Sequence, residues 1–194
     1  MLHNRFLYMI SRTGMALGAL SILGFFAAAK AEDPLPSHNK PAVFTFAPQA
    51  LTSQAPIAPD VPFLDEDGKP RTLRDFSHPL IIVNFWATWC VPCVAEMPSL
   101  DRLAALMDKD VKVIALSQDR DGEVAVDSFY ARLKIKNLSV YLDPKGSVRR
   151  ALGISALPTT VIYTRHGREI GRLEGVAAWD SPAVMEFLKK LAVE

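Results

Sequence analysis

The sequence predicts an α/β domain with a central mixed sheet flanked by helices. Two continuous apolar runs, "LIIVNFWA" at residues 80–87 and "VKVIALS" at residues 111–117, are typical of strands that are covered on both faces. Around them the chain alternates helical and extended patterns, and it closes on a hairpin followed by a helix. This order favours one sheet with helices packed against it.

The segments around these strands predict the other elements in order. "FLDEDGKPRTL" at residues 63–73 has an Asp-Gly pair between short extended pieces, which indicates a hairpin. A helix is predicted after the first buried strand, because apolar residues recur there at helical spacing: Val94, Met97, Leu100, Ala104 and Met107. Residues 122–134 predict a second helix, residues 138–143 a short strand and residues 146–153 a short helix.

The C-terminal part of the chain predicts a strand, a hairpin and a final helix. "TTVIYT" at residues 159–164 has the composition of a strand, and "RHGREIGRLEG" indicates a hairpin about the His166-Gly167 turn. The final helix begins with Ser181 as its N-cap and Pro182 at its first helical position, where a missing N–H costs no hydrogen bond.

The first 31 residues have the features of an export signal. Arg5 and Arg12 precede an apolar stretch at residues 14–29, and the small-x-small site "AKA" ends at Ala31. An uncleaved membrane anchor is the alternative, although at about 1.5 Å per residue the stretch spans roughly 24 Å of a roughly 30 Å hydrocarbon layer. We therefore expect a periplasmic domain, soluble after cleavage or else anchored in the inner membrane facing the periplasm.

Composition divides the rest of the chain into a linker and a domain. Seven of the fourteen prolines lie between residues 32 and 62, which predicts a semi-extended proline-rich linker over residues 32–58 and a folded domain over residues 59–194. Without residues 1–31 the chain has 19 basic and 21 acidic residues and no basic stripe. A nucleic-acid partner is therefore not expected.

Cys90 and Cys93 are the only cysteines, and they lie where the first buried strand gives way to a helix. A disulfide staple would close a very small loop and stabilise the fold little. A metal site would need more ligands, and the four histidines are dispersed. A redox pair suits the position best, because the helix N-terminus favours a thiolate at Cys90 and Cys93 lies one turn further inside.

The segment "FWATWCVPCVAEMPSL" resembles the exported thiol–disulfide oxidoreductases of the TlpA/ResA/DsbE type. The specific marks are Trp89 before the first cysteine, Glu96 three residues after the second, and Pro98 two residues beyond Glu96. "ISALPTTVIY" adds Pro158, at the place of the proline that is cis in this family. The resemblance extends from about Pro59 to the C-terminus.

The resemblance implies a thioredoxin-like fold with two further features. These are an N-terminal hairpin and a strand–helix insertion between the CxxC helix and the cis proline, since 64 residues separate Cys93 from Pro158. A cis bond before Pro158 would turn the backbone groups of Leu157 outward beside Cys90, where they could pair with an extended substrate segment. Trp89, Leu157 and Pro158 are therefore the expected substrate-binding residues.

The resemblance also assigns a task to Glu96. Asn84 stands where the simplest thioredoxins have a buried aspartate that assists proton transfer to the second cysteine, and an amide cannot titrate. In this branch of the family a glutamate at the position of Glu96 takes a similar role. Glu96 is thus the expected third catalytic residue beside Cys90 and Cys93. The alternative is a surface glutamate that only favours the helix.

The function implied is a protein disulfide reductase that uses the CxxC pair without metal or cofactor. Cys90 attacks a client disulfide, and Cys93 then resolves the mixed disulfide. The expected clients are apocytochrome c or copper-site proteins, within cytochrome c or copper-oxidase maturation. The expected electron donor is a membrane protein of the DsbD/CcdA type, and the chain is expected to act as a monomer.

Two other functions stay open at this point. A net disulfide-forming oxidant would use the same cysteine pair, because direction depends on the reduction potential. A non-catalytic copper carrier would want a CxxxC pair and a partner histidine, and the sequence has neither.

Overall fold

The computed structural model describes residues 55–193. The predicted leader and all but the last four residues of the predicted linker lie outside the described residues, so those predictions stay predictions. Among residues 55–193, no helix has the length and apolar content that crossing a membrane requires.

One mixed sheet of seven strands organises the described part of the chain, in the order β2-β1-β5-β4-β3-β6-β7. Strands β3, β4 and β5 run parallel, and the β1–β2, β1–β5, β3–β6 and β6–β7 pairs are antiparallel. The strands are β1 (Phe63–Leu64), β2 (Pro70–Arg71), β3 (Leu80–Trp86), β4 (Val111–Ser117), β5 (Tyr141–Leu142), β6 (Thr159–Thr164) and β7 (Glu169–Glu174). The predicted mixed sheet is confirmed.

Four α-helices and one 3₁₀ turn accompany the sheet within this range. They are the 3₁₀ turn Leu73–Asp75 and helices α1 (Val91–Leu106), α2 (Glu123–Leu133), α3 (Ser147–Ala151) and α4 (Pro182–Ala192). The Ser181 hydroxyl accepts a hydrogen bond from the N–H of Val184 (3.4 Å), so it caps α4 as predicted. Two strand–helix units, β4–α2 and β5–α3, lie between α1 and Pro158, which places the predicted insertion there.

The N-terminal hairpin is also confirmed, with its turn at the Asp-Gly pair. The carboxylate of Asp65 accepts hydrogen bonds from the N–H groups of Asp67 (3.1 Å) and Lys69 (2.9 Å). Gly68 has φ +72°, a conformation that glycine adopts without steric cost. Strand β5 is shorter than predicted because it pairs only with the ends of β4 and the two-residue β1.

Strand β3 is buried along its whole length, as its continuous apolar run predicted. Successive side chains of a strand point to opposite faces of the sheet, so β3 contributes to two apolar clusters. On one face Leu80, Ile82 and Trp86 pack in the cluster that holds the buried residues of α1. On the other face Ile81, Val83 and Phe85 pack with residues of β1 and β6. This double burial fixes the end of β3, from which the chain enters α1.

Residues 55–58, which the composition places in the linker, contact the domain. The N–H of Ala58 donates to the carbonyl of Gly167 (2.7 Å), and the N–H of Glu169 donates to the carbonyl of Pro56 (2.8 Å). These bonds hold the segment against the turn between β6 and β7. These contacts thus extend three residues before the predicted domain boundary at Pro59.

Candidate active site

The two cysteines lie at the junction of β3 and α1 and are joined by a disulfide bond. Cys90 is the N-cap of α1, and its Sγ accepts a hydrogen bond from the N–H of Cys93 (3.4 Å). Pro92 occupies the first turn, where its missing N–H costs no intrahelical bond. In the reduced protein the same N–H and the helix dipole would stabilise a thiolate at Cys90.

The two sulfur-bearing residues differ in access and in surroundings. Cys90 is 6% exposed and Cys93 is fully buried. Cys90 is flanked by two exposed apolar side chains, Trp89 and Val91. Of the two sulfur atoms, that of Cys90 is therefore the more accessible to a client.

Pro158 comes immediately before β6 and is preceded by a cis peptide bond, as predicted. Its carbonyl accepts a hydrogen bond from the N–H of Gly175 (2.8 Å), and the next residue, Thr159, pairs with Phe85 near the end of β3. Leu157 is partly buried against both apolar clusters. Within residues 55–193 its backbone N–H and carbonyl make no hydrogen bond.

Glu96 is buried on α1, one turn after Cys93, with only 3% of its surface exposed. One carboxylate oxygen accepts a hydrogen bond from the side-chain amide of Asn84 (2.9 Å). The other accepts from the indole N–H of Trp179 (2.9 Å) and from the backbone N–H of Ala177 (3.2 Å). The alternative of a surface glutamate is therefore wrong.

The surroundings of Glu96 act on its pKa in opposite directions. Burial raises the pKa of the carboxyl, and the hydrogen bonds from Trp179, Asn84 and Ala177 lower it, with burial the larger effect. The pKa of Glu96 is thus raised from its ordinary value. A carboxyl shifted toward neutral pH is better suited to exchange a proton with a thiol than an ordinary glutamate.

Asn84, on strand β3 of the sheet, donates a hydrogen bond to the carboxylate of Glu96. It is fully buried on the face of β3 that meets α1, and its amide nitrogen donates to both Glu96 and the hydroxyl of Thr160 (3.0 Å). Its amide oxygen has no hydrogen-bond partner in the described part of the chain. Asn84 therefore fixes the orientation of the carboxylate without adding a second titrating group.

Trp179 is the residue of this site that sequence analysis missed. It is fully buried in the segment before α4 and lies 83 residues from Glu96 along the chain. The hydroxyl of Ser99 links the same two segments, since it accepts from the N–H of Trp179 (3.4 Å) and contacts the carbonyl of Ala177 (3.4 Å). A lone tryptophan before an N-cap is the only sequence signal, and it does not indicate a partner.

We expect Trp179→Phe to raise the pKa of Glu96 further, because the lost indole N–H favours the charged carboxylate. Carbon-13 NMR titration of the Glu96 carboxyl in the oxidised protein measures this shift. Trp86→Phe is the matched control, since Trp86 is equally buried but its indole N–H has no partner among residues 55–193. Equal titration midpoints in the two variants would contradict the assignment of Trp179.

The chain matches one family model over most of its described length. Residues 52–185 match the model of the Redoxin family. The chain belongs to the redoxin family. Among the relatives of this redoxin-family protein is the thiol-disulfide oxidoreductase ResA of Bacillus thuringiensis subsp. konkukian (strain 97-27). The two are 33% identical over 135 residues, which cover 69% of this chain and 76% of the relative.

Solved structures agree with the family and with the fold. The pneumococcal exposed lipoprotein thioredoxin Etrx1 of Streptococcus pneumoniae strain TIGR4 is 27% identical, with a TM-score of 0.58 and coverage of 68% of this chain and 99% of that one. A putative thiol:disulfide interchange protein DsbE from Chlorobium tepidum is 26% identical, with a TM-score of 0.59 and coverage of 72% and 94%. The predicted thioredoxin-like fold is confirmed.

The family and the site together define the chemistry. This redoxin-family protein has a CxxC pair at a helix N-terminus, with one accessible and one buried cysteine. Its relatives are thiol–disulfide oxidoreductases. The protein is accordingly a thiol–disulfide oxidoreductase, as the resemblance implied.

Proposed function

We propose that this protein is an exported reductase of client protein disulfides. The acidic character of the buried side of α1 is the observation that favours electron transfer from the cysteine pair to the client. Its buried ionisable side chains are Glu96 and Asp101, and its one basic residue, Arg102, is exposed and paired with Asp180. These buried acids oppose the stabilisation that the helix N-terminus gives to the Cys90 thiolate, and a pair whose reduced form is less stabilised gives up electrons more readily.

The first step is attack on the client. The Cys90 thiolate forms a bond to one sulfur of the client disulfide, the client S–S bond breaks, and the other client sulfur leaves as a thiolate that takes a proton from solvent. The helix N-terminus supports the attacking thiolate. Cys93 stays buried as a thiol during this step, and the product is a mixed disulfide between Cys90 and the client.

The second step releases the client. The thiol of Cys93 gives its proton to the carboxylate of Glu96 and attacks the sulfur of Cys90. The mixed disulfide breaks, and the client sulfur leaves as a thiolate that takes a proton from solvent. The protein ends with the Cys90–Cys93 disulfide, and the client ends with two thiols. Two electrons have passed from the cysteine pair to the client.

Client binding uses groups that the fold leaves available beside Cys90. Trp89 presents an exposed aromatic side chain one residue before the nucleophile. The backbone N–H and carbonyl of Leu157, which make no hydrogen bond within residues 55–193, can pair with an extended client segment next to Pro158. Because this pairing uses only backbone groups, it would hold the client disulfide beside Cys90 without requiring a particular client sequence.

The predicted leader supports a proposal for the cellular setting. We assign the domain to the periplasm, with apocytochrome c or copper-site proteins as clients and a membrane protein of the DsbD/CcdA type as electron donor. The predicted N-terminal export signal supports this location, and the neighbour from Streptococcus pneumoniae is described as an exposed lipoprotein. The protein would act as a monomer.

The reduction potential of the Cys90–Cys93 pair tests the direction. We expect a value well below the roughly −120 mV of strong oxidants, because no buried cation of α1 stabilises the reduced form. Equilibration with dithiothreitol or glutathione buffers, followed by mass analysis of alkylated thiols, gives the value. Cys93→Ser serves as the control that shows no intramolecular transition. A potential near the oxidising figure would favour a net oxidant instead.

A further inference from the structure

A second buried acid, which the mechanism above does not use, lies at the end of β4. Asp119 is 3% exposed and accepts three kinds of hydrogen bond. The donors are the N–H of Thr88 (3.0 Å), the hydroxyl of Thr88 (2.7 Å) and the hydroxyl of Ser117 (2.8 Å). The carboxylate accepts from all of these groups, and no ion pair reaches it within residues 55–193.

These bonds tie Asp119 to the segment that carries the nucleophile. Thr88 lies two residues before Cys90, and the N–H of Gln118 donates to the carbonyl of Trp86 (2.8 Å). The loop after β4 is therefore joined to the loop after β3 just beyond the last pair of the two parallel strands. Two residues span at most about 7 Å, so the α carbon of Thr88, which Asp119 anchors, lies within that distance of the α carbon of Cys90.

We propose that Asp119 is a positioning residue whose anchored negative charge limits the reactivity of Cys90. A like charge nearby disfavours the thiolate, and burial makes it act through a medium that screens it less than water does. Thr88 and Ser117 hold this charge in place. The negative charge of Asp119 disfavours the Cys90 thiolate, whereas the helix N-terminus favours it. The inference deepens the proposed function and rests on it, because a charge that disfavours the Cys90 thiolate acts in the same direction as the buried acids of α1. The alkylation rate of Cys90 tests the inference separately from the reduction potential.

Another buried aspartate in the same fold provides a matched control. Asp143 is also 3% exposed and also accepts from three donors, the N–H groups of residues 147–149 at the start of α3. Its hydrogen bonds do not involve the segment that contains Cys90 and Cys93. Asp119→Asn and Asp143→Asn therefore remove the same charge from equally buried carboxylates, and both are expected to lower thermal stability through lost hydrogen bonds.

The test is the alkylation rate of Cys90 by iodoacetamide as a function of pH. Each variant is made with Cys93→Ala, so that Cys90 is the only thiol. We expect Asp119→Asn to react about threefold to tenfold faster than its parent at neutral pH, with equal rates at high pH where the thiolate is complete. Asp143→Asn should react at the parent rate.

Two more variants keep the inference testable. Asp119→Glu retains the charge and should stay close to the parent. Asp119→Ser, a second neutral variant with a smaller side chain, should show the faster reaction if Asp119→Asn does not fold. Equal pH profiles for the parent and either neutral Asp119 variant would overturn the inference, and so would an equal acceleration in Asp143→Asn.

Discussion

Replacement of Cys93 by serine is expected to abolish turnover and leave Cys90 covalently joined to its client. Cys90 keeps its position at the start of α1, so the first attack still occurs. The resolving thiol is gone, and Cys93 lies fully buried one turn inside the helix, where no solvent thiol can easily replace it. The mixed disulfide should therefore persist for as long as no reductant is added.

A defined probe makes this result measurable. A synthetic peptide with a CxxCH disulfide, of the kind found at haem-attachment sites, is mixed with the reduced variant, and the adduct is detected by mass spectrometry. Dithiothreitol should release the peptide. Cys90→Ser is the control and should form no adduct, because the remaining cysteine is inaccessible. Adducts in equal amounts with both variants would rule out the assigned order of the two cysteines.

Glu96→Gln is expected to slow resolution of the mixed disulfide by on the order of 10²-fold at neutral pH, because the variant has no group that takes the proton of Cys93. The fold should accept this change. Among residues 55–193 the amide oxygen of Asn84 has no hydrogen-bond partner, so a flip of the Asn84 amide lets this oxygen accept from the new glutamine nitrogen. The glutamine oxygen then still accepts from Trp179 and Ala177.

The pH dependence has a defined sign. The pKa of Glu96 is raised, mainly by burial, so the wild-type carboxyl becomes a base only as pH rises above its ordinary range. The defect of Glu96→Gln should grow over that interval and shrink again at high pH, where Cys93 ionises unaided. Stopped-flow measurement of resolution across pH gives both profiles. Superimposable profiles would remove Glu96 from the mechanism.

The same raised pKa predicts a change in stability. A buried acid with a raised pKa binds its proton more tightly in the folded than in the unfolded state. Its stabilising contribution is complete below the unfolded-state pKa of glutamate and is lost as pH rises through the folded-state pKa. Glu96→Gln does not titrate, so its free energy of unfolding relative to wild type should increase across this interval.

Much of this protein was determined by the sequence alone, because the signals are local. The double burial of β3 follows from a continuous apolar run, and the start of α4 follows from Ser181 and Pro182. Strand β6 covers residues 159–164, as its composition predicted. The spacing of the cysteine pair placed both cysteines at the start of α1, where the structure has them. Each of these features is encoded by residues that are close to one another in the sequence.

The surroundings of the cysteines were decided only by the tertiary structure. Glu96 accepts hydrogen bonds from Asn84, twelve residues away, and from Trp179, 83 residues away. Asp119 accepts a hydrogen bond from Thr88, 31 residues before it. No local pattern encodes such pairs, because they form only when the strand register and the packing of the segment before α4 bring distant donors to one carboxylate. The pKa of Glu96 is set by the balance between burial, which raises it, and these hydrogen-bond donors, which lower it. Both effects exist only in the folded protein, so the sequence alone does not give the pKa.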